Sequence, residues 1–272
     1  MYKVGCSCGR GISEETFQML KASGIEAIEL SLSHEALKTF DYKEVARLSK
    51  LYGIELWSFH LPFLPFAEID ISSTNEEIRR FSLDLCKEYI EKATEIGVDK
   101  FVIHPSAEPI SPEERPQRLE ASKKSLGELA DFAQLYGAVI AVEDLPRTCL
   151  GNCADEMLEI LETNDKLRVC FDTNHLLKDT NGNFLKKVGD KIITLHISDY
   201  DFVDEKHWLP GEGKIDWAEI LEGLKNIGYN GVWMYEVGLG KPKTLTRSRN
   251  LNFDDFVKNA KAVFEGKEPE RI

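Results

Sequence analysis

The sequence predicts an α/β protein with a single (β/α)8 TIM barrel over residues 1–272, and three observations support this fold. The length of 272 residues is close to the roughly 250 that such a barrel uses. Short β-branched or aromatic runs alternate with amphipathic stretches along the whole chain, which is typical of parallel βα units. No linker-like or low-complexity stretch divides the chain, so we expect one domain.

One unit recurs along the chain: an amphipathic stretch, then a glycine, then an apolar run that ends in a polar residue. It occurs at 22–30, 51–60, 96–104, 135–143 and 227–236. Each glycine stands where a helix should end, because glycine readily adopts the left-handed conformation of a helix C-terminus. Each apolar run is predicted as a strand buried on both faces. The number of predicted strands reaches eight with three further runs, those at 3–6, 167–172 and 192–196.

The helices between these strands have recognisable starts. We expect one helix at 75–96, opened by a capping box that begins at Thr74, and another at 113–136. Asp216 is the expected cap of a third helix, and a further helix is expected to begin near Asn252. An open doubly wound sheet is the rival arrangement, and the barrel is preferred because no glycine-rich phosphate loop follows the first strand.

The composition indicates a globular protein that acts on a small molecule. Thirty-four Lys and Arg against 47 Asp and Glu give a net charge of −13, which argues against nucleic acid as a partner because DNA-binding surfaces are basic. No apolar run approaches the ~18 residues of a membrane helix, so no membrane association is expected. The first residues lack the apolar stretch of a secretory signal, and we expect a cytoplasmic protein.

Six cysteines are spread thinly over the chain, so free thiols in a reducing compartment are expected rather than a disulfide scaffold. Two close pairs, Cys6 with Cys8 and Cys149 with Cys153, are alternative metal or redox sites. Neither pair has a common zinc spacing.

Histidines and carboxylates collect at the predicted strand ends, where the active site of a parallel barrel lies. Five of the six histidines lie at or just after such ends, and His34 is the exception. Any one such residue has a structural explanation, as a hydrogen-bonded core residue or a helix cap. Several buried acids together are costly unless a cation compensates for their charge. We therefore expect a divalent metal (Mn²⁺, Zn²⁺, Co²⁺ or Mg²⁺) near the residues at these ends, which are His60, His104, Glu143, Asp172, His175, His196, Asp199 and Glu236.

The segments that carry these residues resemble the xylose isomerase-like barrel superfamily. They are 142–144, 171–175, 195–199, 209–217 and 235–237. The sequence is most similar to the sugar phosphate isomerase/epimerase branch, which includes ketose 3-epimerases, hydroxypyruvate isomerases and inosose dehydratases. The motifs Asp-x-x-His, His-x-x-Asp and Pro-Gly-x-Gly-x-Ile-Asp-Trp are specific for the superfamily, but they do not select a substrate.

The resemblance implies a metal-dependent isomerase or epimerase of sugars or polyols. Its one metal would be held by Glu143, Asp172, His196 and Glu236. Glu143 and Glu236 would remove and return a proton next to the substrate carbonyl, which leads to epimerisation, isomerisation or, with loss of a β-hydroxyl, dehydration. His175 would hydrogen-bond a substrate oxygen. Relatives are frequently dimers or tetramers, so a homo-oligomer is compatible with this interpretation.

A different chemistry within the superfamily is the alternative. The extra zinc ligands of endonuclease IV-type AP endonucleases, which hold three Zn²⁺ ions, resemble four positions of this chain: His60, His104, His175 and His207. Glu205 stands where that family has aspartate, with Asp204 beside it. The acidic balance and the lack of an arginine-rich loop favour sugar chemistry. A non-enzymatic binding barrel is a third hypothesis, and it would predict an incomplete metal set.

Further substrate-binding candidates lie near the predicted barrel mouth. Arg247 and Arg249 would bind the anionic group of a phosphorylated or carboxylated substrate, or else lie in a solvated loop with Lys241 and Lys243. Asp144 is expected to brace a neighbouring loop, and Gly211 and Gly213 would allow a tight loop that closes over the substrate. Five aromatic side chains would either stack on a sugar or pack under loops: Trp57, Phe63, Phe66, Phe202 and Trp208.

Overall fold

A computed structural model describes residues 2–9 and 12–272. Eight parallel strands form one sheet in the order β7-β6-β5-β4-β3-β2-β1-β8. In chain order, they are β1 (Lys3–Cys8), β2 (Ala27–Leu30), β3 (Glu55–His60), β4 (Lys100–Ile103), β5 (Val139–Glu143), β6 (Arg168–Asp172), β7 (Ile192–His196) and β8 (Val232–Tyr235).

The sheet closes into a barrel where its two end strands, β7 and β8, meet. β1 pairs with β8 as well as with β2. Just beyond β7, the N–H of Ile197 donates to the carbonyl of Met234 at 2.8 Å, and the N–H of Glu236 donates to the carbonyl of Ile197 at 3.1 Å. The predicted (β/α)8 TIM barrel is confirmed, and the open sheet is excluded.

Helices on the outside of the barrel connect the strands. They are α1 (Glu14–Ser23), α2 (His34–Leu37), α3 (Tyr42–Tyr52), α4 (Glu76–Thr94), α5 (Arg115–Gln134), α6 (Ala154–Leu161), α7 (Asn181–Val188), α8 (Trp217–Asn226) and α9 (Phe253–Phe264). In the described part of the chain, no helix has both the length and the apolar character needed to cross a membrane.

The helix boundaries follow local signals, with one correction. Asp216 caps α8 as predicted, and the helix expected near Asn252 is α9, which Asn252 caps. The five predicted terminator glycines all have positive φ. The prediction that Thr74 caps α4 is wrong. Asn75 is the cap, because its side chain accepts the N–H groups of Glu77 and Ile78, and asparagine is among the best N-cap residues.

The main hydrophobic core lies between the sheet and the helix layer, where strand residues such as Phe59, Phe101 and Phe171 are fully buried. A second, smaller apolar cluster of Val102, Ala141 and Cys170 is separate from this core. These three residues stand two positions before His104, Glu143 and Asp172 on their strands. Since side chains two residues apart point to the same face of a strand, this cluster lies directly beneath the polar residues described next.

Candidate active site

A layer of polar side chains closes the barrel interior at the carboxyl ends of the strands. Each of the eight strands, or the residue just after it, supplies one member. They are Ser7, Glu29, His60, His104, Glu143, Asp172, His196 and Glu236. Hydrogen bonds and close contacts link neighbouring members, for example His60 and His196 with Glu143 at 3.1 and 2.8 Å. The closed sheet therefore brings together side chains that are up to 229 positions apart in the chain.

Four of these residues form a compact group of potential metal ligands. One donor atom from each of Glu143, Asp172, His196 and Glu236 lies within 4.8 Å of the others. They come from β5, β6, β7 and the residue after β8, so successive strands each contribute one. This is the set that the resemblance implied.

The hydrogen bonding of the carboxylate oxygens leaves room for a divalent cation. Asp172 Oδ1 accepts the N–H of Asn174 at 2.6 Å, whereas Asp172 Oδ2 and Glu236 Oε2 are buried without a hydrogen-bond partner. Buried polar atoms are rarely left unpaired. Three carboxylates and one imidazole that converge in this way are positioned to bind a metal such as Mn²⁺, Zn²⁺ or Co²⁺.

The two glutamates of this group have opposite electrostatic environments. Burial would raise the pKa of Glu143, but the imidazoles of His196, His104 and His60 around it hold that pKa well below the usual range. Burial raises the pKa of Glu236, and His196 and His207 offset this only in part. Glu143 is therefore the more readily ionised carboxylate, and Glu236 holds a proton more readily.

Two further donor groups lie on either side of the central one. His60, His104 and Glu143 form the first, with His104 Nε2 3.3 Å from Glu143 Oε2. His175, Glu205 and His207 form the second.

Arg147 pairs with both acids of this loop, with Asp204 at 2.9 Å and with Glu205 Oε1 at 3.2 Å. Glu205 Oε2 also lies 3.5 Å from His175 Nε2. Glu205 rather than Asp204 therefore belongs to the second flanking group. The histidine expected to lie elsewhere, His34, indeed contacts Tyr89 on α4.

A cavity of about 280 Å³ opens onto this site. Its polar wall includes both glutamates of the central group, together with His104, His175, Glu205 and His207. Its apolar wall is made by loops after β3 and β5, with Phe63, Leu64, Phe66, Leu145 and Pro146. The cavity thus combines hydrogen-bonding groups with apolar side chains, which is usual for a small-molecule site.

The two arginines that were candidates for anion binding form ion pairs with other residues of the chain. Arg247 is 3% exposed and forms a two-point ion pair with buried Glu212, at 2.8 and 2.6 Å. Arg249 pairs with Asp255 in the first turn of α9. These contacts satisfy both guanidinium groups and fix the loop after β8, and neither arginine lines the cavity.

The aromatic candidates divide into two groups. Phe63 and Phe66 line the cavity, and Phe63 stacks on His104 with ring centroids 4.0 Å apart. Trp57, by contrast, lies low in the barrel interior, where its indole N–H donates to Thr194 and Lys100 covers its ring. The other two are not cavity residues either: the indole of Trp208 donates to Thr244, and Phe202 is half exposed on the loop after β7.

The predicted loop residues have structural roles. Asp144 accepts the N–H of Asp172 at 2.8 Å and so braces β6. Asp199 accepts hydrogen bonds from the following loop, including the N–H of Gly211 at 2.8 Å. A Cβ atom at Gly213 would lie 2.2 Å from Asp199 Oδ1, so this close approach requires glycine.

The cysteine pairs do not form a ligand group. Cys6 and Cys8 have their sulfur atoms 3.9 Å apart within the main core. All six cysteines are free thiols. None of the donor groups found among residues 2–9 and 12–272 contains a cysteine.

Sequence reasoning missed one buried acid of the site, Glu29 on β2. It is fully buried and contacts His196 Nε2 at 2.9 Å. The available signal was its position: Glu29 is a carboxylate inside an apolar run, one residue before the strand end. Ser7 and Ser58, which donate to Glu29, gave no comparable signal because serine is common in strands and loops alike.

Comparison with known proteins places this geometry in a family. The family model described as xylose isomerase-like TIM barrel matches residues 17–251. An uncharacterised protein of Methanocaldococcus jannaschii is 34% identical over 234 residues, which is 82% of this chain and 73% of that protein. The inosose isomerase of Bacillus velezensis is 27% identical over 269 residues, with 93% of this chain and 90% of that protein covered.

A solved structure described as a D-tagatose 3-epimerase-like protein superimposes with a TM-score of 0.81 at 26% identity, covering 97% of this chain and 96% of that one. The relatives and structural neighbours thus include sugar isomerases and ketose epimerases. The chain belongs to the xylose isomerase-like TIM barrel family.

Proposed function

We propose that this protein is a divalent-metal-dependent isomerase or epimerase of a sugar, sugar phosphate or related polyol. The observation that carries the proposal is the convergence of Glu143, Asp172, His196 and Glu236 within 4.8 Å, with two of their buried oxygens unpartnered. The homology to sugar isomerases and epimerases supports the same class of substrate.

The four residues would hold one divalent metal ion, which would polarise a substrate carbonyl and acidify the adjacent C–H bond. The opposed environments of Glu143 and Glu236 suit two roles in proton transfer, because catalytic acid and base are separated by surroundings that shift their pKa values apart. Glu143, kept ionised by three imidazoles, would accept the proton. Glu236, whose pKa is raised, would return it.

The cavity supports a substrate with one polar edge and one apolar face. His175 would donate to or accept from a substrate hydroxyl, since its ring lines the polar wall. Phe63 and Phe66, which also line the cavity, would pack against the C–H face of a sugar.

The experiment measures solvent deuterium incorporation. Fructose, tagatose, psicose and an inosose are each incubated with the Mn²⁺-loaded protein in D₂O, and deuterium at the carbon next to the carbonyl is followed by NMR. We expect incorporation into at least one of them. Glu143→Gln and Glu236→Gln should each reduce its rate by about 10²- to 10⁴-fold, the usual contribution of a general acid or base.

Two controls accompany this measurement. Glu55→Gln makes the same substitution at an exposed residue that pairs with Lys3 at the other end of the barrel, and it should exchange at the wild-type rate. Metal content is measured for every variant, because a glutamine that expels the metal would lower the rate indirectly. Undiminished exchange in both site variants with metal retained would remove the proton-transfer assignment.

A second candidate function, phosphodiester hydrolysis of the AP-endonuclease type, is favoured by one observation. The two flanking donor groups, each with two histidines and a glutamate, supply positions for two further zinc ions beside the central site. A net charge of −13 opposes this candidate, since phosphate-backbone binding needs basic surface.

Metal stoichiometry and DNA cleavage distinguish the two candidates. Sugar chemistry predicts about one tightly bound ion per chain, whereas the phosphodiesterase predicts about three Zn²⁺ ions. Cleavage of a duplex with one abasic site, tested at low and moderate salt, together with three ions would favour the second candidate. Absence of cleavage with deuterium exchange into a sugar would favour the first.

A further inference from the structure

The histidines around the site are fixed by two different kinds of partner. His60, His175 and His207 each direct Nδ1 at a backbone carbonyl, and the distances to the carbonyl oxygens of Leu61, Asp144 and Glu236 are 2.8, 2.8 and 3.2 Å. A carbonyl oxygen can only accept, so Nδ1 carries the hydrogen in all three rings. Nε2 is then the nitrogen that faces the donor groups, toward Glu143 Oε2 in His60 and toward Glu205 Oε2 in His175.

His196 is oriented in the opposite sense. Its Nδ1 faces the central group, 2.8 Å from Glu143 Oε1 and 3.4 Å from Glu236 Oε2. Its Nε2 faces away from the group and lies 2.9 and 3.1 Å from the two carboxylate oxygens of Glu29. The nitrogen of His196 that faces the central group is therefore Nδ1, and a carboxylate rather than a backbone carbonyl accepts from the other nitrogen.

Glu29 is held rigidly behind this histidine. Its side chain is fully buried. Ser7 Oγ donates to Oε1 at 3.0 Å, and Ser58 Oγ donates to Oε2 at 2.8 Å. Together with His196 Nε2, these contacts occupy both oxygens, and Glu29 belongs to none of the donor groups in the described chain. Its carboxylate is thus committed to His196 rather than to a ligand of its own.

We propose that Glu29 is a positioning residue of the metal site, which acts by fixing the tautomer and ring orientation of His196. This proposal rests on the proposed metal-dependent function. When Glu29 accepts the hydrogen of Nε2, the electron pair of Nδ1 points into the central group, and the carboxylate also makes the imidazole a stronger donor.

The other neutral tautomer of His196 shows why its hydrogen bond to Glu29 matters. With the hydrogen on Nδ1, His196 would donate to Glu143 Oε1 across the 2.8 Å that separates them. That single bond would occupy one nitrogen and one oxygen of the ligand set at once. Glu143 belongs to the ligand group and Glu29 does not, so with metal bound Glu29 is the carboxylate left to accept from His196, through a charge-assisted hydrogen bond about twice as strong as a neutral one.

The test compares Zn²⁺ affinity, measured by competition with a chromophoric chelator, in wild type, Glu29→Gln and Glu29→Ala. We expect Glu29→Gln to weaken binding by about tenfold and Glu29→Ala by up to about 100-fold, the range found for such outer partners. Glu26→Gln is the matched control, since it removes a carboxylate from an exposed position three residues earlier, and it should bind Zn²⁺ as wild type does.

A spectroscopic measurement on the wild type keeps the proposal testable if the variants do not fold. Nitrogen-15 spectra of the Zn²⁺-loaded, histidine-labelled protein should show His196 with a protonated Nε2 and a metal-bound Nδ1. Metal bound through Nε2, or unchanged Zn²⁺ affinity in both folded Glu29 variants, would overturn the role of Glu29 alone. A wild-type protein that binds neither Zn²⁺ nor Mn²⁺ would instead overturn the proposed function.

Discussion

Replacing Asp172 with asparagine should separate metal binding from folding stability. Asp172 is fully buried, with Oδ1 bonded to the N–H of Asn174 and Oδ2 unpartnered. Asparagine keeps the shape and the Oδ1 contact but removes the charge that metal ligation needs. We therefore expect the variant to lose metal affinity while its metal-free form becomes more stable at neutral pH.

The magnitude follows from the pKa of Asp172. Burial raises this pKa from 3.8 to about 6; His207 lowers it in part, and Glu143 acts in the same direction as burial. Between these pH values the folded protein holds a proton that the unfolded chain has lost, so stability falls as the pH rises through this window. About 2 pKa units at 1.36 kcal/mol each amount to about 3 kcal/mol. The variant should gain up to that amount above about pH 6 and nothing below about pH 4.

The assay is urea unfolding of both proteins in EDTA at about pH 4 and about pH 7, repeated at pH 7 with Mn²⁺. Wild type should be stabilised by Mn²⁺, and Asp172→Asn should not. The reasoning is refuted if the metal-free variant is no more stable than wild type at pH 7, or if Mn²⁺ stabilises both proteins equally.

Three further outcomes are expected. Arg247→Met should lower the free energy of unfolding by about 3–5 kcal/mol, because it leaves Glu212 buried without its charged partner. Arg249→Met should cost less, because Arg249 is half exposed although its partner Asp255 is buried; equal losses in urea unfolding would contradict this. Metal affinity, measured by titration, should fall as the pH drops below about 6, because Asp172 must lose its proton to bind a metal ion. A constant affinity down to about pH 4 would argue against Asp172 as a ligand. Asp199→Asn should destabilise the protein by about 1–3 kcal/mol, because this side chain accepts three backbone N–H groups and an indole N–H. The measurement is urea unfolding of the metal-free protein. A variant that unfolds at the same urea concentration as wild type would show that these bonds contribute little.

The barrel could be predicted because the same pattern of hydrophobic residues and glycines recurs along the sequence. Five repeats of helix, glycine and apolar run mark strand positions, and parallel connectivity then places all carboxyl ends on one rim. That geometry explains why Glu143, Asp172, His196 and Glu236 meet although they are far apart in the chain. The cap of α4 was predicted one residue early, since Thr74 and Asn75 are both good caps and only the folded backbone selects one.

The roles of arginines and aromatics could not be predicted because they depend on side-chain direction. Arg247 follows the last strand, as a substrate-binding arginine would, but it turns inward to Glu212. Trp57 lies three residues before the end of β3, and an irregularity in the pairing of β2 with β3 alters which β3 side chains face the barrel interior. Glu29 was missed for a related reason: its partner His196 is 167 positions away, and no local pattern indicates such a pair.

The most direct test of the metal site is the position of a bound ion. Crystals grown with MnCl₂ would be measured by anomalous diffraction at the manganese edge. We expect a peak in contact with one oxygen each of Glu143, Asp172 and Glu236 and with Nδ1 of His196, at the roughly 2.0–2.3 Å of such bonds. A saturated crystal with no peak there, or with manganese bound only by other residues, would contradict the proposed catalytic centre.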